Sequence, residues 1–165
     1  MQAFDSLSRD IQQYIYDKGW PSLTNIQSAA IKQVANTDHN LILSAPTASG
    51  KTEAAFIPAL NSVEDWETGL KVLYVSPLKA LINDQFQRIS ELSEYLDIPI
   101  TRWHGEVSQT QKRKVVNQPK GILLITPESI EGMLVNRPGE AEHLFKGVEW
   151  IIIDELHSFL GTERG

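Results

Sequence analysis

A short run of small and polar residues that ends in lysine and threonine has the composition of a phosphate-binding loop. It reads Ser44-Ala45-Pro46-Thr47-Ala48-Ser49-Gly50-Lys51-Thr52. An apolar stretch precedes it and a helix-like segment follows, which is the strand, loop and helix order that such a loop requires. Backbone N–H groups from Ala48 to Thr52, with the positive end of the helix dipole, would hold phosphate oxygens. The run therefore predicts nucleotide binding.

Three positions in this run carry the predicted chemistry. Gly50 permits the backbone to approach the phosphates closely. Lys51 would reach the terminal phosphates as a mobile charge, and the Thr52 hydroxyl would be a ligand of the magnesium that accompanies a nucleoside triphosphate. Ala45 stands where the consensus has its first glycine, which is tolerable if its φ is negative. The alternative, a plain structural loop, is disfavoured by the strand and helix on either side.

A second stretch, at 150–157, ends an apolar strand in two adjacent carboxylates. It reads Trp150-Ile151-Ile152-Ile153-Asp154-Glu155-Leu156-His157. A protein interior does not tolerate such a pair without a cation or solvent. Asp154 is placed to hold magnesium through its water shell, and Glu155 to orient and deprotonate the water that attacks the γ-phosphate. Alone, the pair would favour a solvated turn; together with the Lys51 loop it favours a catalytic site.

Strand-like and helix-like segments alternate along the chain and would position these groups. Predicted helices cover 5–18, 24–34, 50–63, 78–95, 108–116 and 127–135, and predicted strands cover 41–44, 71–76, 98–103, 121–126 and 150–154. This alternation predicts an α/β fold with a parallel sheet and helices on both faces. The continuous apolar runs at 72–75, 122–125 and 151–153 are typical of strands buried on both faces. Ligands in such sheets gather at the carboxyl ends of the strands.

The composition limits the remaining possibilities. With 165 residues and 41% hydrophobic content, the chain is long enough for one domain with a real core. It has no apolar run of membrane-spanning length and no export signal at its start, so we expect a soluble, cytoplasmic protein with no membrane partner. It contains no cysteine, and its four histidines show no ligand spacing, so any metal should arrive with the nucleotide. The net charge of −6 argues mildly against a basic surface that coats nucleic acid.

Taken together, the motifs resemble those of the first RecA-like domain of a superfamily 2 helicase. The run at 45–52 is similar to motif I of that family, with Ala48 where glycine is usual, and 154–157 is a variant of its Asp-Glu-x-His motif II. In the family, the histidine at the position of His157 couples the nucleotide state to a second domain. A surface histidine without a partner is the alternative. The resemblance implies that the catalytic residues are Lys51, Asp154, Glu155 and His157, with Thr52 and Asp154 holding magnesium.

The segment 19–27 resembles the adenine-reading Q motif, although Leu23 replaces the proline usual there. In that motif Gln27 would hydrogen-bond the base edge in both directions. Phe4 lies near the place where the family has an aromatic residue beside the adenine; its alternative is a core residue of the first helix. The nucleotide-binding residues implied by the resemblance are Phe4, Thr24, Gln27, Pro46, Thr47, Ala48, Ser49, Gly50, Lys51 and Thr52.

Two further segments resemble motifs that bind nucleic acid. Residues 76–81 are similar to motif Ia and residues 126–129 to motif Ib, and each is predicted to open a helix with proline early in it. Free N–H groups at these helix starts would bind backbone phosphates of a single strand. An ordinary helix cap is the alternative at 126–128, and Trp103 would either stack a base or pack in the core. The implied nucleic-acid-binding residues are Ser76, Pro77, Lys79, Thr126, Pro127 and Glu128.

The resemblance implies ATP and Mg²⁺ as cofactors and single-stranded DNA or RNA as a partner. Within the superfamily, 77–81, 154–157 and 161–165 are most similar to the large helicase-related and Ski-type DNA helicases. We expect residues 1–165 to be the N-terminal part of a RecA-like domain that ends after motif II, without the second RecA-like domain. Alone, it should hydrolyse ATP barely. The alternatives are a P-loop ATPase that translocates without unwinding, and a nucleotide-regulated nucleic-acid-binding module.

Overall fold

A computed structural model describes residues 2–161 of the chain. The chain divides into two compact units, with the division between Glu64 and Asp65. Within the described residues, no helix is both long enough and apolar enough to span a membrane.

The first unit is helical. It contains a short 3-10 helix at Ala3–Ser6, followed by α1 (Arg9–Asp17), α2 (Asn25–Asn36) and α3 (Lys51–Ser62). The Ser8 hydroxyl caps α1 by accepting the N–H of Ile11, and Thr24 and Gln27 form a reciprocal capping box at the start of α2. These caps explain why the helices begin where they do.

Two predictions for this unit need correction. The helix predicted over 5–18 is broken, because the Ser8 cap starts α1 after the separate 3-10 turn at Ala3–Ser6. The strand predicted at 41–44 is wrong, since residues 37–46 have no regular secondary structure. A strand needs the backbone of a neighbour, and every strand pairing among the described residues lies in the second unit. Ile42, in the middle of the predicted strand, is 83% exposed.

The second unit contains the sheet. Its elements are β1 (Gly69–Val75), α4 (Lys79–Tyr95), β2 (Ile100–Trp103), α5 (Gln109–Asn117), β3 (Lys120–Ile125), α6 (Pro127–Asn136), α7 (Pro138–Phe145), β4 (Trp150–Ile153) and a 3-10 turn at Leu156–Ser158. All strands are parallel, in the order β2-β3-β1-β4. The predicted α/β fold with a parallel sheet is confirmed; α7 was not predicted.

Burial along the sheet separates its centre from its edge. The central strands β1 and β3 are buried along nearly their whole length, as their apolar runs predict. The same expectation for β4 is wrong, because Ile151 is 60% and Ile153 49% exposed. Among the described strands β4 pairs only with β1, so it is an edge strand.

Candidate functional site

The phosphate loop, residues 44–52, takes its shape from two left-handed residues. Ala48 has φ 60° and Gly50 φ 82°, and Lys51 is the first residue of α3. The left-handed φ of Gly50 favours glycine, and a Cβ there would lie 2.5 Å from Nε2 of Gln27, so the Gln27 side chain would have to move. Ala45 is not among the described residues of positive φ, which meets the condition for alanine at that position. The turn leads directly into a 12-residue helix. The first N–H groups of this helix have no hydrogen-bond acceptor within the helix.

The side chains of the phosphate loop are placed for an anionic ligand. Lys51 is exposed, as are Pro46, Thr47 and Ala48, while Thr52 is half-buried. The Ser49 hydroxyl is buried and has no hydrogen-bond partner within residues 2–161. Since buried polar atoms are normally hydrogen-bonded, this hydroxyl is available to a ligand oxygen. The loop therefore fits the phosphate group predicted for it.

Gln27 links the start of α2 to the phosphate loop. Its Oε1 accepts the N–H of Thr24 at 2.9 Å, and its Nε2 donates to the Gly50 carbonyl at 3.4 Å. The residue is only 4% exposed. An amide has two N–H groups and two oxygen lone pairs, so one of each remains for an adenine edge. Base reading by Gln27 stays a prediction; its contact with Gly50 was not foreseen.

Phe4 lies outside the core. It is half-buried in the 3-10 helix, its carbonyl accepts a hydrogen bond from Nε2 of Gln12 at 2.9 Å, and it lines a shallow pocket with Arg9, Gln13 and Tyr16. The alternative of a residue packed in the core of the first helix is therefore wrong, whereas contact with adenine stays a prediction.

The acidic turn, residues 154–157, is anchored to β1. The N–H of Asp154 donates to the carbonyl of Val75 at 2.9 Å, which extends the pairing of β1 with β4 by one residue. Glu155 then adopts a left-handed conformation with φ 52°, and its N–H donates to Oδ1 of Asp154 at 2.8 Å. The other oxygen of Asp154, Oδ2, accepts the phenol of Tyr74 at 2.5 Å. Each carboxylate oxygen of Asp154 therefore accepts one hydrogen bond.

Tyr74 is a contact of the acidic turn that the sequence interpretation missed. Burial raises its pKa far above the usual 10, and the hydrogen bond to Asp154 raises it further, so the phenol stays protonated and donates. The available signal was a tyrosine inside the apolar run 72–75, because a buried phenol requires a partner.

His157 and Glu155 interact within the turn. Nε2 of His157 lies 3.2 Å from Oε2 of Glu155, although the His157 side chain is 79% exposed. His157 therefore lies on the surface, as the alternative describes, but it contacts Glu155; its coupling to a second domain stays a prediction.

The donor chemistry of the acidic turn suits magnesium. Each oxygen of Asp154 accepts one hydrogen bond and keeps a lone pair for a water ligand, and Mg²⁺ prefers oxygen and retains several waters. Within residues 2–161, no three acidic, histidine or cysteine side chains come together as a metal site. Thr52, the other proposed ligand, belongs to the first unit.

The segment after β1, residues 76–79, contains the buried hydroxyl of Ser76 and the ammonium group of Lys79. Ser76 is fully buried, and its Oγ has no hydrogen-bond partner within residues 2–161. Pro77 was predicted to lie early in the helix, but it lies before it, because α4 begins at Lys79. The N-cap residue is Leu78, which offers no side-chain cap. The ammonium of Lys79 forms an ion pair with Glu106, with both side chains more than half exposed.

At the end of β3, Pro127 is the first residue of α6, as predicted. The Thr126 hydroxyl bonds the Ser129 hydroxyl at 2.8 Å and does not cap a helix N–H. Thr126 is nevertheless the N-cap residue of α6, so the cap alternative holds for its position although not for its side chain, and Glu128 lies in the first turn. Phosphate binding at both helix starts stays a prediction.

The loop after β2 is built around a buried histidine. Nδ1 of His104 accepts the N–H of Glu106 at 3.2 Å, so its Nε2 carries the hydrogen and donates to Oδ1 of Asn83 at 3.1 Å. Burial lowers the pKa of His104, which favours this neutral form. Trp103 is 2% exposed, so the packed alternative is confirmed and base stacking is wrong.

Comparison with known proteins places the chain in a family. A family model described as DEAD/DEAH box helicase matches residues 24–165. The ATP-dependent helicase Lhr-Core of Saccharolobus solfataricus is 32% identical over 160 residues, covering 88% of this chain and 18% of that protein. Activating signal cointegrator 1 complex subunit 3 of Dictyostelium discoideum is 32% identical over 151 residues, covering 87% of this chain and 7% of that protein.

Solved structures agree. The Mycobacterium smegmatis helicase Lhr bound to ssDNA and AMP-PNP matches with a TM-score of 0.85 at 28% identity, over 99% of this chain and 22% of that one. The DEAD-box helicase Mss116 bound to ssRNA and UDP-BeF matches with a TM-score of 0.82 at 22% identity, over 96% of this chain and 33% of that one, and supports the fold alone. The chain spans less than a quarter of the length of the curated relatives named above. It belongs to the DEAD/DEAH box helicase family and has the fold of a first RecA-like domain, as its motifs predicted.

Proposed function

We propose that this chain binds ATP with magnesium and a single strand of nucleic acid, as the first RecA-like domain of an ATP-dependent helicase. Hydrolysis then requires a second RecA-like domain, because the transition state needs arginines from that domain. Alone, the chain should bind nucleotide weakly and hydrolyse it barely. Its cytoplasmic location stays a prediction from the sequence.

The observation that carries the proposal is the geometry of the phosphate loop. Left-handed backbone at Ala48 and Gly50 leads directly into a 12-residue helix that starts with Lys51. The same loop contains the buried Ser49 hydroxyl that has no partner within residues 2–161. A helix N-terminus, a lysine and an unsatisfied hydroxyl are complementary to phosphate oxygens.

The chain's own residues divide the chemistry between them. Lys51 would contribute positive charge at the terminal phosphates, while Thr52 and Asp154 would hold the metal, Asp154 through water. Bound magnesium would neutralise part of the charge on the phosphate oxygens. Glu155 accepts the proton of the attacking water. His157, 3.2 Å from Oε2 of Glu155, orients that carboxylate.

The nucleic-acid part of the proposal concerns the ends of β1 and β3. The first turns of α4 and α6 carry N–H groups without a side-chain cap, and these would bind phosphates of the strand. Ser76 and Lys79 add a hydroxyl and a charge at α4. The structure of the M. smegmatis relative with ssDNA and AMP-PNP supports both ligands for this chain.

Two titrations test the proposal on the chain as it stands. Fluorescent mant-AMP-PNP with Mg²⁺ should bind saturably and be displaced by ATP, and a labelled oligothymidylate should bind in a salt-dependent manner. A folded chain that gives no saturable nucleotide signal would refute the proposal. An equal titration with oligouridylate decides between DNA and RNA.

Hydrolysis is tested in a longer protein that includes the second domain. Glu155→Gln should remove turnover and retain nucleotide binding, while Glu142→Gln on the exposed surface of α7 should retain both. Turnover that survives Glu155→Gln would favour the nucleotide-regulated binding module. Turnover with movement along a strand, but no strand separation, would favour the translocase.

A further inference from the structure

Tyr74 donates a side-chain hydrogen bond to the carboxylate of Asp154, from a strand 80 residues earlier in the chain. Its hydroxyl lies 2.5 Å from Oδ2 of Asp154. A carboxylate only accepts, so the phenol is the donor. The strand register explains why these two side chains come together. Tyr74 is opposite Ile152 in the parallel pairing of β1 with β4, and Asp154 follows two residues later. The contact therefore joins the interior of the sheet to the acidic turn.

Packing explains the ring of Tyr74 but not its hydroxyl. The residue is 2% exposed, and its neighbours along β1 are the aliphatic residues Val72, Leu73 and Val75. Phenylalanine would fill the same ring volume without bringing a polar group that must be satisfied. The hydroxyl donates its hydrogen bond to Asp154. A role at that carboxylate is what distinguishes tyrosine from phenylalanine at this position.

The hydrogen bonds at Asp154 leave its carboxylate little freedom to rotate. Oδ2 accepts from Tyr74, and Oδ1 accepts the N–H of Glu155 at 2.8 Å. With one donor on each oxygen, the plane of the group is defined, and one lone pair on each oxygen remains for water. A carboxylate that binds a metal through water depends on such orientation, because the water ligands have directions of their own.

We propose that Tyr74 is a positioning residue that orients Asp154 toward the water shell of nucleotide-bound magnesium. This inference rests on the proposed nucleotide function. In this proposal Tyr74 acts on the metal through its hydrogen bond to Asp154.

Tyr74→Phe removes the hydroxyl and keeps the ring. The binding of mant-AMP-PNP to the chain is measured over a range of Mg²⁺ concentrations and again in EDTA. The Mg²⁺ concentration for half-maximal binding should rise by about ten-fold, which is the low end for loss of an outer-shell partner of a metal ligand. Affinity in EDTA should be unchanged. Tyr95→Phe, at the end of α4 and partly exposed, is the matched control and should match the wild type in both media.

A double-mutant comparison assigns the effect to Asp154. In an Asp154→Asn background, Tyr74→Phe should cause no further change in the Mg²⁺ requirement, because the group that it positions is gone. An additional ten-fold rise in that background would overturn the inference.

The possible outcomes separate this inference from the function on which it rests. If wild-type chain binds the nucleotide identically with Mg²⁺ and EDTA, the proposed magnesium site fails and the inference with it. If wild-type binding depends on Mg²⁺ and Tyr74→Phe behaves the same, only the inference fails. If Tyr74→Phe loses the same nucleotide affinity with Mg²⁺ and in EDTA, or does not fold, the hydroxyl serves the fold. Either result would also overturn the inference.

Discussion

The phosphate loop and the acidic turn hold their polar groups by different kinds of contact. In the phosphate loop the shape comes from the backbone itself, with left-handed residues at Ala48 and Gly50. In the acidic turn, Asp154 is bound through a neighbouring strand, by the Val75 carbonyl and the Tyr74 phenol. The first segment depends on local dihedral preferences, whereas the second depends on a correctly formed sheet.

This difference determines which substitutions each segment should tolerate. A residue change that alters backbone preference at one position should reshape the phosphate loop and leave the sheet unaffected. A change far along the chain that distorts the sheet should displace the acidic turn, because β3 pairs with β1 and β1 with β4. The predictions below test that distinction.

The largest effect is expected from Gly121→Ala, at the start of β3. Gly121 has φ 69°, and a Cβ there would lie 1.9 Å from the carbonyl oxygen of Pro99. Left-handed strain and this overlap should together lower the free energy of unfolding by about 2–5 kcal/mol. Urea unfolding measures the change.

The matched control is Gly132→Ala, inside α6. No atom lies within 4 Å of a Cβ at Gly132, so alanine should stabilise by about 0.5–1 kcal/mol through helix propensity. Equal effects at the two glycines would contradict the idea that the close approach to Pro99 supports the sheet.

Next in size is Lys51→Ala, which tests the phosphate loop as a binding element. Loss of a charged hydrogen bond to phosphate should weaken mant-AMP-PNP binding by about 1.5–3 kcal/mol, or about 10- to 150-fold. Stability should be unchanged because the side chain is exposed. Lys32→Ala, an exposed lysine of α2, is the control. Unaltered nucleotide affinity in Lys51→Ala would remove the loop from the proposed site.

The sequence predicted those strands and helices that a pattern within their own residues defines. Apolar runs located β1 and β3 to within two residues, and the helix predicted over 50–63 is observed at Lys51–Ser62. The strand at 41–44 failed because a strand also needs a partner, which no window of sequence contains. α7 was missed because it has only eight residues, with Pro138 at its start.

The candidate site was predictable to the same extent. Asp154 and Glu155 are adjacent carboxylates after an apolar run, and such a pattern is visible in sequence. The bond from Tyr74 to Asp154 depends on the register of two parallel strands, and nothing within either segment encodes that register. Likewise, the contact of Gln27 with Gly50 joins residues 23 positions apart and was not foreseen.

A smaller effect is expected from Ala48→Gly, which acts on the backbone of the phosphate loop alone. Ala48 has φ 60°, a conformation that costs an alanine about 1–2 kcal/mol and glycine almost nothing. Glycine also loses more freedom on folding, so the net gain in unfolding free energy should be at most about 1 kcal/mol. Ala35→Gly in α2, where the backbone is helical, should instead destabilise by about 1 kcal/mol. Thermal unfolding that gave both variants the same sign would contradict left-handed strain at Ala48.

The smallest effect is expected at the end of β1, where Glu106 competes with nucleic acid for Lys79. The two side chains form an exposed ion pair, and the N–H of Glu106 is held by His104. A phosphate that binds Lys79 must displace the carboxylate. Glu106→Gln should therefore strengthen oligothymidylate binding by about two- to five-fold, in line with the modest strength of exposed ion pairs. Glu67→Gln, which breaks the exposed pair with Lys120, should leave this affinity unchanged.

The pH dependence of the same pair gives a further check. The hydrogen bond and charge of Lys79 hold the pKa of Glu106 below its usual 4.5. A lowered folded-state pKa means that the pair is fully formed above 4.5 and is lost as pH falls through the lower value. The affinity ratio between Glu106→Gln and wild type should therefore be constant near neutral pH and approach one in acid. A ratio of one at neutral pH would mean that Lys79 does not meet the strand, and phosphate binding at α4 would then rest on Ser76 and the backbone N–H groups.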